Sequence, residues 1–309
     1  MPDTNPLLNL TLVSLAAQFA RNAYHGENTF KGGKMLLKSS KAGIFKPGYY
    51  IYEVNNTLFI TIRGSSSVSD WDANLDYKEI PAEFGKYKVN VHRGFYRAAE
   101  SIYKEIKPVF LNYNGNFVIC GHSLGASAAT LMTFRALTDP DLKKKYNSIR
   151  CYAFAPAPTT SMMPKEIQSK ILSFVYNNDI VPNLSIASLH RMIKQFISGR
   201  KMSPFILKYG IRSALRSFSK KKNPFSKNMY NVLDKSINLL VHDIIKFDQK
   251  ISKLTVTKLL GNIIHLDGKA TTLKDALIKQ GKVFGQLAPS SVTDHYPHKY
   301  VRAVRSLTA

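Results

Sequence analysis

Residues 116–131 read Asn116-Phe117-Val118-Ile119-Cys120-Gly121-His122-Ser123-Leu124-Gly125-Ala126-Ser127-Ala128-Ala129-Thr130-Leu131. A β-prone apolar run meets a Gly-x-Ser-x-Gly pentapeptide, and a small-residue helical pattern follows at once. Strand, Gly-x-Ser-x-Gly, helix is the context that a nucleophile elbow requires. The turn is so sharp that strand and helix nearly touch, and the positions two before and two after the serine must lack bulk. Gly121 and Gly125 meet that demand. Ser123 is then expected to be strained and exposed, with the Leu124 amide at the helix N-terminus facing any developing oxyanion. The alternative is a chance Gly-x-Ser-x-Gly in an unrelated loop, against which both flanks argue.

Around this stretch the pattern alternates. Tyr49 to Val54, Asn55-Asn56, and Thr57 to Arg63 read as a β-hairpin. Phe95 to Phe110 places Phe95, Ala98, Ala99, Ile102, Ile106 and Val109 on one helical face. Ser148 to Phe154, Ile171 to Tyr176 and Asn262 to Leu266 read as further strands, each closed by a turn signal, and the chain ends in a helical stretch from Lys299 to Leu307. Strands alternating with helices predict an α/β fold: a mostly parallel sheet covered on both faces.

The 309 residues, 44% of them apolar, suffice for a sizeable core. The two cysteines, Cys120 and Cys151, sit in apolar runs and read as core residues rather than a disulfide framework. Leu7 to Phe19 is interrupted by Asn9, Thr11, Ser14 and Gln18, which suits an amphipathic helix better than a signal peptide. No run of about 18 apolar residues occurs. The expectation is a reducing, cytoplasmic compartment with peripheral membrane association, although a leaderless secreted effector would look the same.

Charge is unevenly spread. Of the net +24, residues 190–260 contribute +13 from 16 basic and 3 acidic side chains. Leu189, Met192, Ile193, Phe196 and Ile197 follow helical spacing there, as do Leu233, Ile237, Leu240, Val241, Ile244, Ile245 and Ile251. Residues 189–260 therefore read as an inserted segment of basic amphipathic helices.

A serine nucleophile needs a base within hydrogen-bond reach and a carboxylate to orient that base. In elbow-bearing folds these follow in the order Ser, acid, His. That order removes His25, His92 and His122. Asp179 lies just past a later strand, where the acid belongs, whereas Asp139 and Asp141 fall at a helix end. The alternative for Asp179 is a turn or cap aspartate. Among the later histidines, His190 and His242 lie in the basic segment and His265 is mid-strand. His295, in a loop before the last helix, is the expected base, with His298 as the fallback.

Five ordered motifs now share a pattern: Ile62-Arg63-Gly64-Ser65-Ser66 with Asp70-Trp71, Val91-His92-Arg93-Gly94-Phe95, Gly121-His122-Ser123-Leu124-Gly125-Ala126, Asp179-Ile180-Val181-Pro182, and Asp294-His295-x-x-x-x-Tyr300. Together they resemble class 3 lipases, and Cys151 to Pro156 is similar to the sn-1 diacylglycerol lipase branch. The resemblance implies one α/β-hydrolase domain over residues 1–309 containing the 189–260 insert. It implies Ser123, Asp179 and His295 as catalytic residues, and the backbone amides of Ser65 and Leu124 as oxyanion donors. Loss of one such donor costs roughly a hundred- to thousand-fold in rate. Trp71 is either a lid or acyl-pocket wall, as in that family, or plain core. No metal or organic cofactor is called for.

The 116-residue separation of Asp179 and His295 departs from the family, and the insert fills it. Basic amphipathic helices suit an anionic membrane surface, at about 1 kcal/mol per Lys or Arg. Their apolar faces suit a lid equally well. Nucleic acid is not expected as a partner, because no nucleic-acid fold motif accompanies the charge. The expected substrate is a glycerolipid ester, di- or triacylglycerol. Phospholipase A1 or carboxylesterase activity is the rival, and an inactive membrane-binding scaffold is the reading from another class.

Overall fold

The computed structural model describes residues 6–25, 33–39, 46–64, 78–162, 164–183, 255–256, 259–278, 290 and 293–308. Helix α1 (Leu10–Asn22) precedes strands β1 (Lys34–Ser39), β2 (Tyr49–Val54), β3 (Thr57–Ile62), β4 (Glu79–Phe84) and β5 (Tyr87–His92). Then come α2 (Arg93–Asn112), β6 (Asn116–His122), α3 (Leu124–Thr138), β7 (Ile149–Phe154), α4 (Lys165–Gln168) and β8 (Ile171–Tyr176). Strands β9 (Asn262–Leu266) and β10 (Leu277–Ile278) and helix α5 (Pro297–Arg305) complete the order.

Eight strands form one sheet in the order β1-β2-β3-β6-β7-β8-β9-β10. The central run from β3 to β9 is parallel, and antiparallel pairs close both edges. This is the α/β-hydrolase fold expected from the sequence. Neighbouring parallel strands need helical crossovers, so both faces are covered and the strands are apolar throughout rather than alternating. In β6, Phe117 and Ile119 point to one face, packed with α2 and α3, while Val118 and Cys120 point to the other, packed with α1 and α5. Strand β7 divides in the same way, with Ile149, Cys151 and Ala153 on the first face and Tyr152 and Phe154 on the second. Each such Phe or Ile removed from water contributes about 1.5–3 kcal/mol.

Helix α3 lies deepest, with 13 of its 15 residues buried. Its small residues admit the sheet on one side and α2 on the other, and Arg135, at its polar end, pairs with Glu100 of α2 at 2.7 Å. The β2–β3 hairpin turns through Asn55 and Asn56, both at positive φ (45° and 54°). That is the type I′ geometry whose twist matches the strands, and asparagine tolerates it better than most residues.

Strands β1, β4, β5 and β10 and the short helix α4 were not read from the sequence. Strand β1 adds to the β2 edge, and β4–β5 forms a separate two-stranded sheet. Phe84 of that hairpin stacks on Phe134 of α3, with ring centroids 4.2 Å apart. The same hairpin grips the chain where it returns from the expected insert: Glu79 accepts from the Thr255 and Val256 amides at 2.9 and 2.7 Å. Val256, Leu259 and Leu260 are buried, Leu260 in the core beneath α3. The last residues of the 189–260 segment thus pack into the body of the fold, and residues 189–254 lie outside the described residues, as does Trp71.

Candidate active site

Ser123 links β6 to α3 with φ 59° and ψ −126°. A non-glycine residue there costs on the order of 1–3 kcal/mol, held by the structure around it. The two flanking glycines are what allow it. A Cβ on Gly121 would lie 2.5 Å from the Gly125 carbonyl carbon, and one on Gly125 would lie 2.8 Å from the Arg63 carbonyl carbon and closer still to the Ile62 oxygen. Backbone cannot give way as a flexible side chain can. The Ser123 amide bonds the Phe154 carbonyl at 2.9 Å, which fixes the turn to the end of β7.

Strain is present as expected, but exposure is not. Ser123 is only 3% exposed, and Asp179 and His295 are fully buried. The sequence pattern reports the turn, whereas access is set by what packs over it.

Asp179 follows β8 by three residues, and its amide bonds the Tyr176 carbonyl at 2.9 Å. His295 ends a short 3₁₀ turn (Thr293–His295) before α5. The His295 Nδ1 lies 3.0 and 2.9 Å from the two Asp179 oxygens, and Nε2 lies 2.9 Å from the Ser123 Oγ. An ionised carboxylate can only accept, so Nδ1–H donates to Asp179 and Nε2 is free to accept from the serine hydroxyl. Asp179 also accepts from the Val181 amide at 2.9 Å and the Tyr300 hydroxyl at 2.5 Å. All of its burial is thereby compensated by donors, as a buried charge requires.

Tyr300 is the residue whose role the sequence did not disclose. It sits on α5, five residues beyond His295, and its oxygen accepts from the Tyr176 amide at 3.0 Å while donating to Asp179. Burial first, and then the Asp179 charge, hold its hydroxyl well above the usual tyrosine range, so it remains a donor. The motif Asp294-His295-x-x-x-x-Tyr300 was the available signal, but a five-residue separation that spans the turn into α5 does not by itself say what the hydroxyl meets.

His122 is buried beside the triad, its ring 4.7 Å from that of His295 and its Nδ1 2.9 Å from the Tyr24 hydroxyl. Burial, reinforced by the neighbouring His295, holds it well below the usual histidine range and therefore neutral. His298 is not brought to Ser123; its ring lies tilted against that of Tyr296 at the start of α5, and His265 contacts the Asn177 carbonyl instead.

Leu124 begins α3, so its amide has no carbonyl within the helix to bond. Gly64, the residue before Ser65, packs against the elbow: a Cβ there would meet the Tyr24 hydroxyl and lie 2.6 Å from the His122 carbonyl oxygen. Ser65 itself lies outside the described residues. Among the described residues no cluster of His, Cys, Asp or Glu converges as a metal site, and no helix is long and apolar enough to cross a membrane.

A strained serine at the end of a central parallel strand, an imidazole on its hydroxyl and a carboxylate behind the ring define the Ser–His–Asp arrangement of α/β-hydrolase proteins. Residues 59–189 match the family model described as Lipase (class 3). It is 35% identical over 89 residues to the chloroplastic phospholipase A1 PLIP2 of Arabidopsis thaliana, covering 27% of this chain and 12% of that protein. It is 32% identical over 148 residues to the secreted mono- and diacylglycerol lipase A of Penicillium cyclopium, covering 44% of this chain and 45% of that one. The chain thus spans less than half the length of either relative. A triacylglycerol lipase from Penicillium expansum shares the fold, with a TM-score of 0.51 at 15% identity over 94% of this chain and 90% of that one.

Proposed function

We propose that this protein is a serine lipase that hydrolyses acyl esters of glycerolipids, di- or triacylglycerol, through an acyl-enzyme at a membrane surface. The observation that carries the reading is the unbroken chain of contacts from Ser123 Oγ through His295 to Asp179. The Ser123 oxygen attacks the acyl carbonyl carbon as its proton passes to His295 Nε2. The tetrahedral oxyanion is held by the Leu124 and Ser65 amides. Collapse expels the glyceryl alkoxide, which takes the proton from Nε2. Water then attacks the acyl-enzyme, giving a proton to Nε2 that returns to Ser123 as the fatty acid leaves. Asp179 holds the ring in the productive tautomer throughout, and Tyr300 holds Asp179.

The partner proposed for the basic 189–260 segment is an anionic membrane surface, met peripherally. Its charge supports this, since 16 basic side chains stand against 3 acidic ones in residues 190–260. A second reading, phospholipase A1, is favoured by the similarity to the plant enzyme of that name.

Three measurements test these readings. A fluorophosphonate probe should label the wild type and not S123A; an intact wild-type fold that takes no label would leave only a membrane-binding scaffold. Hydrolysis of diacylglycerol, triacylglycerol and phospholipid, each presented in anionic vesicles, should favour the neutral glycerides. Preferential loss of the sn-1 chain from phospholipid would move the assignment to phospholipase A1. Vesicle co-sedimentation should strengthen with anionic lipid and weaken with salt; equal binding to neutral vesicles in high salt would remove the electrostatic part.

A further inference from the structure

The triad uses one buried carboxylate, and a second lies immediately beside it. Asp294 precedes His295 and is 2% exposed. Its Oδ1 accepts from the Lys299 ammonium at 2.8 Å. Its Oδ2 accepts from the Ser290 hydroxyl at 2.9 Å and, more weakly, from the Asn178 amide at 3.4 Å. The Asp294 amide in turn donates to the Ser290 carbonyl at 2.7 Å, closing the turn on itself.

These partners have a common feature. Asn178 is the neighbour of Asp179, Lys299 is the neighbour of Tyr300, and Ser290 begins the turn that ends in His295. Tyr300 and Asp179 are themselves bonded, so one carboxylate, itself next to His295, joins the acid loop at the neighbour of Asp179 and α5 at the neighbour of Tyr300. Lys299 is also fixed on its far side, its ammonium 5.7 Å from the centre of the Tyr176 ring. Asp179 fixes the tilt of the imidazole through Nδ1, but a ring can still move with its backbone. The Asp179 oxygens meet His295 at its ring nitrogen.

Building on the proposed serine-hydrolase reading, we infer that Asp294 is a positioning residue: its clasp with Lys299, Ser290 and Asn178 fixes the backbone of His295 and so the alignment of Nε2 on the Ser123 hydroxyl. Proton transfer from the serine depends on that alignment, and displacement by about 1 Å costs on the order of a hundredfold in rate. Acyl-chain binding does not depend on it. The inference therefore separates kcat from KM, which a merely structural carboxylate would not do.

The test compares wild type, D294A, D294N and K299M on a soluble short-chain p-nitrophenyl ester, with fluorophosphonate labelling rates, and with all values normalised to the folded fraction from circular dichroism. D294A should lose about 30- to 100-fold in kcat with KM within about twofold, and its labelling rate should fall in parallel. D294N keeps an acceptor for Ser290 and Asn178 but loses the ion pair, and should fall about tenfold, as should K299M. Wild-type kcat and labelling per folded molecule in D294A would overturn the inference. If D294A does not fold, unchanged rates in both D294N and K299M would overturn it equally. A wild type that takes no label at Ser123 overturns the serine-hydrolase reading and this inference together. A labelled wild type with equally labelled Asp294 variants overturns this inference alone.

Discussion

The elbow and the paired loops opposite it hold their functional groups by different physics. Ser123 is fixed mainly by sterics among near neighbours: two glycines, a strand end and a helix start within residues 121–125, set against the β3 backbone and tied by one amide bond to the end of β7. Asp179 and His295 are fixed by hydrogen bonds between segments 116 residues apart. In the proposed mechanism the first device places the nucleophile and the second activates it, once the sheet has brought β8 and α5 to the end of β6. A serine at positive φ is therefore a local property of this chain, while its chemistry is a tertiary one.

Four substitutions would break or sharpen that contrast. The largest effect is expected for S123A, which should lower kcat by about 10⁴- to 10⁶-fold while leaving unfolding free energy within about 1 kcal/mol. A comparable fall in urea stability would mean that Ser123 is structural rather than chemical. G125A should destabilise by about 3 kcal/mol in urea titration, because the added methyl meets main chain on the β3 side. Wild-type stability and labelling in that variant would end the steric account of the elbow.

Y300F acts on the opposite side. It keeps the ring but removes the donor to Asp179, a hydrogen bond to a charged group worth about 1.5–3 kcal/mol. A loss of roughly tenfold in kcat/KM is expected, carried by kcat; a rise in KM alone would assign Tyr300 to binding.

The smallest effect concerns His122 and pH. Its folded-state pKa lies below the ordinary value of about 6.5, so below that pH the unfolded chain binds the extra proton first. Its contribution to stability is complete above about pH 6.5 and is lost as pH falls toward the folded-state pKa, by at most about 1.4 kcal/mol per unit. H122F cannot titrate there. Between pH 7 and pH 5 the wild type should lose more stability than H122F in urea titrations, and equal losses would show that burial does not hold His122 neutral.

Much of the frame was legible because it is written in local periodicity. The hairpin through Asn55-Asn56, and β8 and β9, fall where their apolar runs and turn residues place them. Strand β1 was not read, because Lys34 to Ser39 carries two lysines and forms an edge whose order comes from its partner β2. The β4–β5 hairpin was missed for a related reason. Pro81 and the charged Glu79, Glu83 and Lys88 hide an apolar face that becomes apparent only when Phe84 meets Phe134. Tyr300 and Asp294 belonged to a recognisable spacing, yet nothing local says what a hydroxyl or a second carboxylate will touch.

The sequence by itself determined the elbow, since Gly121, Ser123 and Gly125 carry their steric meaning within a single turn, and it determined the sheet through strands too apolar to face water on either side. Only the tertiary structure decided that His295 rather than His298 meets Ser123, that Tyr300 and Asp294 support the acid and the base, and that Ser123 is covered rather than exposed. Sterics act over neighbouring residues and can be read from them. Hydrogen bonds and burial depend on which distant segments the fold has already brought together.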